Sequence, residues 1–227
     1  MRSTAPLTDS GLLDLVVFDL DGTLVDSRAD LAHSANAVLI ECGCAPLEEE
    51  AIGRMVGDGA ATLITRAFAA SGCLPPADAL ARFLLVYNGR LLDTTRAYDG
   101  IEEVLMAIDR GLTLAVLTNK PLAPTLEILD GLNLSRHFSR ELIVGGDGPF
   151  PRKPDPSALR DLAGRVGTDT GRTLMVGDSI IDWRTARAAG AQVCMARYGF
   201  GFHDFPVAEL RAGDWVIDSA SELLLRL

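Results

Sequence analysis

The chain has 227 residues, of which 48% are hydrophobic, 23% charged and 6% aromatic, enough apolar material for one large α/β domain or a core carrying an inserted lobe. Disordered and fibrous classes are excluded. With 21 Lys plus Arg against 31 Asp plus Glu the formal net charge is -10, and no Lys/Arg-rich cluster tracks a phosphate backbone, so nucleic acid is not an expected partner.

The opening decapeptide MRSTAPLTDS is polar and lacks the apolar stretch of a signal peptide, and no later run approaches the ~20 apolar residues of a membrane span. A soluble, cytoplasmic chain with no membrane partner is expected. Leu12 to Phe18 is a short apolar run, broken once by Asp14 and ended by DLDGT, which suits a buried parallel strand feeding a turn. From Asp26 to about Arg96 the pattern is helix after helix: Leu31 to Leu39, Glu48 to Met55, Ala60 to Ala70 and Ala77 to Leu92. Gly57, Gly59, Gly72 and Pro75-Pro76 are the breaks, and no strand is evident. After Tyr98-Asp99-Gly100 strands and helices alternate: Leu112 to Leu117, Leu122 to Leu129, Glu141 to Val144, Pro156 to Val166, Thr173 to Val176, Asp182 to Ala189 and Gln192 to Ala196. The segment from Tyr198 to Leu227, with Trp215 to Asp218 and a leucine-rich last helix, reads as closing structure over a sheet edge.

This order predicts the α/β class: a doubly wound, Rossmann-like parallel sheet core from residues 1–25 and 96–227, with an all-helical cap domain inserted at residues 26–95. The strand tails then share one rim beneath the insertion, which becomes a lid. The four cysteines, Cys42, Cys44, Cys73 and Cys194, show no C-x-x-C spacing and no zinc-finger spacing with His33, His137 and His203, so reduced, mostly buried thiols are expected. The basic residues are 19 Arg and two Lys, Lys120 and Lys153, so a step that requires an ammonium has only those two sources.

Four segments converge at the strand ends: DLDGT with Asp19 and Asp21, Thr118-Asn119, Lys153-Pro154, and GDSIID with Asp178 and Asp182. Several carboxylates cannot share a small site without compensation. A hard divalent cation resolves the repulsion, Mg²⁺ suits oxygen ligands of this kind, and one lysine supplies the remaining positive charge. Such a site serves a phosphate monoester. Asp19 can attack a phosphoryl dianion only when metal and Lys153 neutralise its oxygens, and Asp21, the outer residue of D-x-D, can protonate the leaving oxygen and then activate water. The Thr118 hydroxyl and the amides after Asp19 would hold the transferring oxygens. Lys120 reads as a surface lysine.

FDLDGTLVDS, VLTNK, RKPDP and VGDSIID, in this order and spacing, resemble the haloacid dehalogenase-like hydrolase superfamily. Within it, DLDGTLVDSRADLAHS, MVGDGA, Tyr98-Asp99-Gly100 and the AAGA after GDSIID look like the phosphoglycolate phosphatase branch, and the resemblance runs from about residue 14 to 200. It implies Asp19 as nucleophile, Asp21 as acid/base, Thr118 and Lys153 as phosphoryl ligands with Asn119 beside them, and Asp178 as Mg²⁺ ligand. It also implies the Asp21 carbonyl as a further ligand, and Asp182 as a ligand or the partner of one. The activity so implied is a Mg²⁺-dependent phosphatase acting on a small-molecule phosphate monoester, phosphoglycolate or a related metabolite, through an aspartyl-phosphate.

Single residues separate the rival chemistries. A dehalogenase of this superfamily usually lacks the second aspartate of the first motif. The phosphonate hydrolases use a cap lysine, and residues 26–96 contain none. The sugar phosphomutases resemble this chain but carry a cap histidine where Leu31 stands, His33 lying two positions on. A phospho-receiver module combines similar residues on a similar sheet, but its phosphorylated aspartate ends the third strand, which here ends in Gly145-Gly146-Asp147, and receivers lack a helical lid. In the cap, Arg54, Gly57, Asp58 and Gly59 are the expected contacts to the leaving group. Asp58 disfavours a carboxylate-bearing substrate unless Arg54 or Arg66 compensates, which leaves the substrate open. Nothing in the sequence sets the oligomeric state.

Overall fold

The computed structural model describes residues 13–227; the N-terminal decapeptide and Leu12 lie outside the described residues. The first strand, β1 (Leu15–Phe18), is buried along its whole length, which is why its sequence is continuously apolar rather than alternating. The chain then forms a two-residue strand β2 (Val25–Asp26), four helices, α1 (Arg28–Glu41), α2 (Glu49–Gly53), α3 (Ala60–Ala70) and α4 (Ala79–Asn88), and a return strand β3 (Arg96–Ala97) that pairs antiparallel with β2. The helical insertion is thus closed at its base by a short ribbon, Val25 opposite Ala97 and Asp26 opposite Arg96. No strand was expected between residues 26 and 96. Two residues per strand leave no alternation to read.

The remainder is α5 (Ile101–Ile108), β4 (Thr113–Leu117), α6 (Leu122–Gly131), β5 (Ile143–Val144), α7 (Ser157–Val166), β6 (Thr173–Gly177), α8 (Ile180–Ala189), β7 (Gln192–Ala196) and β8 (Trp215–Ile217). Six strands make one all-parallel sheet in the order β5-β4-β1-β6-β7-β8. This is the Rossmann-like parallel architecture expected of the core. Side chains alternate across it: Val16 and Phe18 pack with Leu105 and Ile128 of α5 and α6 on one face, and Leu15 and Val17 pack with Leu159, Leu162 and Ala186 of α7 and α8 on the other. The segment expected to close the sheet edge supplies a sixth strand instead, Cys194 to Ala196 pairing with Trp215 to Ile217, and the end of the chain is a 3-10 turn over Ala220–Leu225.

Register decides where the chemistry falls. Leu15 to Phe18 face Thr113 to Val116 on one side and Thr173 to Val176 on the other, so the tails of β1, β4 and β6 reach one rim together. The chain lays β4 and β5 to one side of β1, then returns to lay β6, β7 and β8 to the other, and the crevice left at this change of direction is where parallel sheets bind ligands.

The reduced-thiol expectation is corrected for two cysteines: Cys44, just beyond α1, is joined to Cys73, just beyond α3, while Cys42 and Cys194 are free thiols. The partners are 29 positions apart and meet only because α1 and α3 pack side by side in the insertion, a relation that pairwise spacing does not reveal.

Candidate active site

Asp19 follows β1 directly, and its N–H donates to the Val176 carbonyl at 2.9 Å, which fixes its carboxylate at the rim. Asp178 and Asp182 follow β6, Asp182 lying in the first turn of α8. The three carboxylates are buried, and each offers an oxygen within 4.8 Å of the others. Gly22, at φ +87°, is required here, since a Cβ at that position would stand 1.9 Å from Asp178 Oδ2. The Gly201 N–H donates to the same oxygen at 2.7 Å.

Lys153 answers this charge. Its Nζ lies 2.8 Å from Asp19 Oδ1 and 2.6 Å from Asp182 Oδ1, with the side chain 2% exposed. The other oxygen of Asp182 accepts from the Ser179 N–H at 3.1 Å and its hydroxyl at 2.7 Å, so both oxygens of Asp182 are engaged in holding neighbouring groups. One ammonium does not balance three buried carboxylates. Burial, with Asp182 close by, pushes the Asp19 carboxyl up to about 7 despite Lys153, and burial with Asp182 and Asp19 beside it holds Asp178 well above the ordinary carboxylate range. An all-oxygen donor set that is buried and short of positive charge fits a hard divalent cation.

Asp21 stands apart from that cluster. Its Oδ1 accepts from the Ser27 hydroxyl at 2.6 Å and its Oδ2 lies 3.1 Å from Lys120 Nζ, which in turn donates to the Tyr87 hydroxyl of α4 at 2.6 Å. Thr118, at the end of β4, is buried and its hydroxyl oxygen accepts from the Lys120 N–H. Asn119 joins three segments: its Nδ2 donates to the carbonyls of Gly57 in the insertion, at 2.8 Å, and of Lys153, at 2.9 Å. Its Oδ1 is buried with no partner among the described residues. A cavity opens between the rim and the insertion, floored by Asp19, Asp21 and Thr118 and walled by Leu31, Val56, Leu63 and Phe83.

A family model described as haloacid dehalogenase-like hydrolase matches residues 16–196. The chain belongs to this hydrolase family. Among curated relatives, a phosphoglycolate phosphatase of Rhodospirillum rubrum is 43% identical over 220 residues, spanning 88% of this chain and 90% of that protein. One from Agrobacterium fabrum is 40% identical over 222 residues, spanning 96% and 93%. A crystal structure of a predicted phosphoglycolate phosphatase from Haemophilus somnus superposes with a TM-score of 0.87 at 31% identity, covering 94% of this chain and 97% of that one.

Within this member of the haloacid dehalogenase-like family the rim brings together Asp19, Asp21, Thr118, Asn119, Asp178 and Asp182 with Lys153. Gly57 and Gly59 line the cavity, whereas Arg54 and Asp58 do not. Arg54 is exposed, 3.5 Å from His203, and Asp58 forms an ion pair with Arg66 at 2.7 Å. Leu31, at the position where the mutases carry histidine, is a cavity wall, and His33 is exposed. Asp147, the third-strand aspartate, accepts from the Leu122 N–H at the start of α6. The expectation for Lys120 is overturned: it is 7% exposed and bonded into the site. The turn after β4 carries it under the insertion, where Tyr87 covers it. Its rarity, one of two lysines beside 19 arginines, was the available signal.

Proposed function

We propose that this chain is a Mg²⁺-dependent phosphatase that hydrolyses a small phosphate monoester, phosphoglycolate first among them, through a phosphoryl-Asp19 intermediate. The observation that carries the reading is the Lys153 ammonium held between Asp19 and Asp182, with a second carboxylate, Asp21, two residues beyond the nucleophile and outside the cation cluster. The names of the relatives supply the leaving group.

Asp19 and Asp178, with the Asp21 carbonyl, would hold the cation, and when bound it neutralises phosphoryl oxygens so that an anionic nucleophile can approach. Asp182 then serves by fixing Lys153. The Asp19 carboxylate attacks phosphorus, the bond to the leaving oxygen breaks, and Asp21 gives that oxygen its proton. Asp21, now a carboxylate, takes a proton from water as the water attacks the phosphoryl group, releasing phosphate and restoring Asp19. Thr118, Lys153 and the backbone N–H groups after Asp19 hold the equatorial oxygens. The helical insertion, latched through Asn119 to Gly57, excludes water from the first step. Leu31, rather than a histidine, stands in the cavity wall at the position where the mutases carry one, which favours hydrolysis.

The test is phosphate release from phosphoglycolate, ethyl phosphate and glucose 6-phosphate, with Mg²⁺ and after chelation with EDTA. Phosphoglycolate turnover that requires the cation and falls by more than about 100-fold in Asp19→Asn is the expected result. Undiminished hydrolysis with EDTA, a comparable rate in the variant, or a preference for another ester overturns the corresponding part of the reading.

A further inference from the structure

Resting on the phosphoglycolate reading, we propose that Lys120 is the specificity-determining cation of the cavity, the group that receives the carboxylate of the leaving group. Of the two lysines in the chain, Lys153 is occupied on the phosphoryl side between Asp19 and Asp182. Lys120 pairs instead with the second carboxylate of D-x-D, 3.1 Å from Asp21. Asp21 must stand at the leaving oxygen to protonate it, so whatever neighbours Asp21 away from the phosphoryl group meets the next atoms of the leaving group. In glycolate those atoms are one methylene and then the carboxylate. An ammonium bonded to Asp21 is within reach of that carboxylate and of little else in so short a chain.

The charge inventory of the cavity points to the same residue. Among the described residues that line it, Lys120 is the only lysine or arginine. The walls it faces are Leu31, Val56, Leu63 and Phe83, against which an uncompensated carboxylate would be strongly disfavoured. The arginines of the insertion near the turn are engaged elsewhere, Arg66 with Asp58 and the Met55 carbonyl, and Arg54 out at His203. An ammonium carries three N–H donors. The Asp21 carboxylate and the Tyr87 hydroxyl take two, which leaves one for a ligand in the cavity. Tyr87 comes from α4, so the donor is aimed correctly only when the insertion is seated over the core.

The proposal separates from a general role in supporting Asp21 by the choice of substrates. The kcat/KM for phosphoglycolate and for ethyl phosphate, which has the same two-carbon chain without the carboxylate, is measured in wild type, Lys120→Met and Lys120→Gln. The glutamine variant keeps a hydrogen-bonding side chain toward Asp21 and Tyr87 and carries the comparison if the methionine variant does not fold. Loss of the charge should reduce phosphoglycolate turnover on the order of 100-fold more than ethyl phosphate turnover, chiefly through KM. Glycolate, which inhibits wild type by occupying the leaving-group position, should inhibit the variants correspondingly less. Parallel loss for the two esters, or no loss for either, overturns the assignment. Failure of the underlying reading shows separately and earlier, as a wild type that does not prefer phosphoglycolate over ethyl phosphate.

Discussion

Asp30, in the first turn of α1, and Thr95, just before β3, are 65 positions apart, yet Asp30 Oδ2 accepts from both the N–H and the hydroxyl of Thr95 at 2.8 Å. Thr94 adds its hydroxyl at 2.6 Å and its N–H at 3.0 Å. The carboxylate therefore ties the outgoing connection of the insertion to the returning one, beside the β2/β3 ribbon.

Asp30 is fully buried, and burial alone would raise its pKa, but the hydroxyls and amides of Thr94 and Thr95 outweigh it and hold the carboxyl below its ordinary value of 3.8. A lowered folded-state value stabilises the fold fully above the unfolded value and loses that contribution as pH falls through the folded one. Asp30→Asn should cost about 2–4 kcal/mol at neutral pH, because it removes a charged acceptor and sets an amide donor against other donors. Urea unfolding of wild type and variant checks it: the gap should narrow as pH is lowered below about 4. A gap under about 0.5 kcal/mol at neutral pH is the contrary result.

The convergence of Asp19, Asp21, Thr118, Asp178 and Asp182 is legible in the sequence because they follow or adjoin short apolar runs whose parallel strands deliver their tails to one rim, and Lys153 is legible as one of only two lysines, in the loop after the third strand of the series. What is illegible is contact between distant segments. Lys120 meets Tyr87 across 33 positions, Asp30 meets Thr95 across 65, and Cys44 meets Cys73 across 29. Each depends on how the inserted helices seat on one another or on the core, which no local pattern encodes. The case of α5 is different. Ile101, Val104, Leu105 and Ile108 keep the spacing of a helix face, and all four are buried. That signal is present but short, and Tyr98-Asp99-Gly100 draws the reading toward a turn.

Divalent-cation binding should release protons. Burial drives Asp19 up to about 7 and Asp178 well above its ordinary range. Raised folded-state values of acids stabilise the fold below the unfolded value near 4, and that contribution is lost as pH rises toward 7, so the metal-free protein weakens toward neutral pH. A cation needs deprotonated carboxylates and reverses the penalty. Calorimetric titration of Mg²⁺ near neutral pH should therefore give heats that change with the ionisation enthalpy of the buffer. The rise in melting temperature on adding Mg²⁺ should be larger at about pH 8 than at about pH 5. Heats independent of buffer would mean that the carboxylates are already ionised without the cation.

The Cys44–Cys73 bond closes a loop of 29 positions within the insertion, a length for which the chain-entropy account gives about 3–4 kcal/mol. Dithiothreitol, or Cys44→Ser, should lower the melting temperature by a comparable amount, while the rim residues keep their geometry. Thiol titration of the denatured, unreduced protein should find two thiols, Cys42 and Cys194. In the folded protein Cys194 should react slowly, since burial pushes its thiol up to about 12. Four reactive thiols after denaturation, with no effect of dithiothreitol on melting, is the outcome that defeats the bridge.

Asn119, in the loop after β4, and Asp58, in the insertion, both adjoin Gly57 and should behave oppositely. The Asn119 amide donates to the Gly57 carbonyl and, across the site, to the Lys153 carbonyl, so it fastens the insertion to the loop that carries the ammonium of the rim. Asn119→Ala deletes both bonds and leaves two carbonyls to solvent, at about 1–3 kcal/mol, or about 10–100-fold in kcat/KM. These bonds hold the insertion to the core rather than the leaving group, so phosphoglycolate, ethyl phosphate and p-nitrophenyl phosphate should suffer alike. Asn119→Asp should be worse, because a carboxylate would face both carbonyls. Asp58 is one residue from Gly57, but its carboxylate is paired with Arg66, half-exposed and outside the cavity. Exposed pairs of this kind contribute about 0–1 kcal/mol. Asp58→Asn should accordingly change kcat/KM for every ester by less than about fivefold, without altering their order. A selective gain for the carboxylated ester in Asp58→Asn would put that side chain inside the closed cavity during turnover. A selective loss in Asn119→Ala would make the amide a ligand of the leaving group instead of a latch.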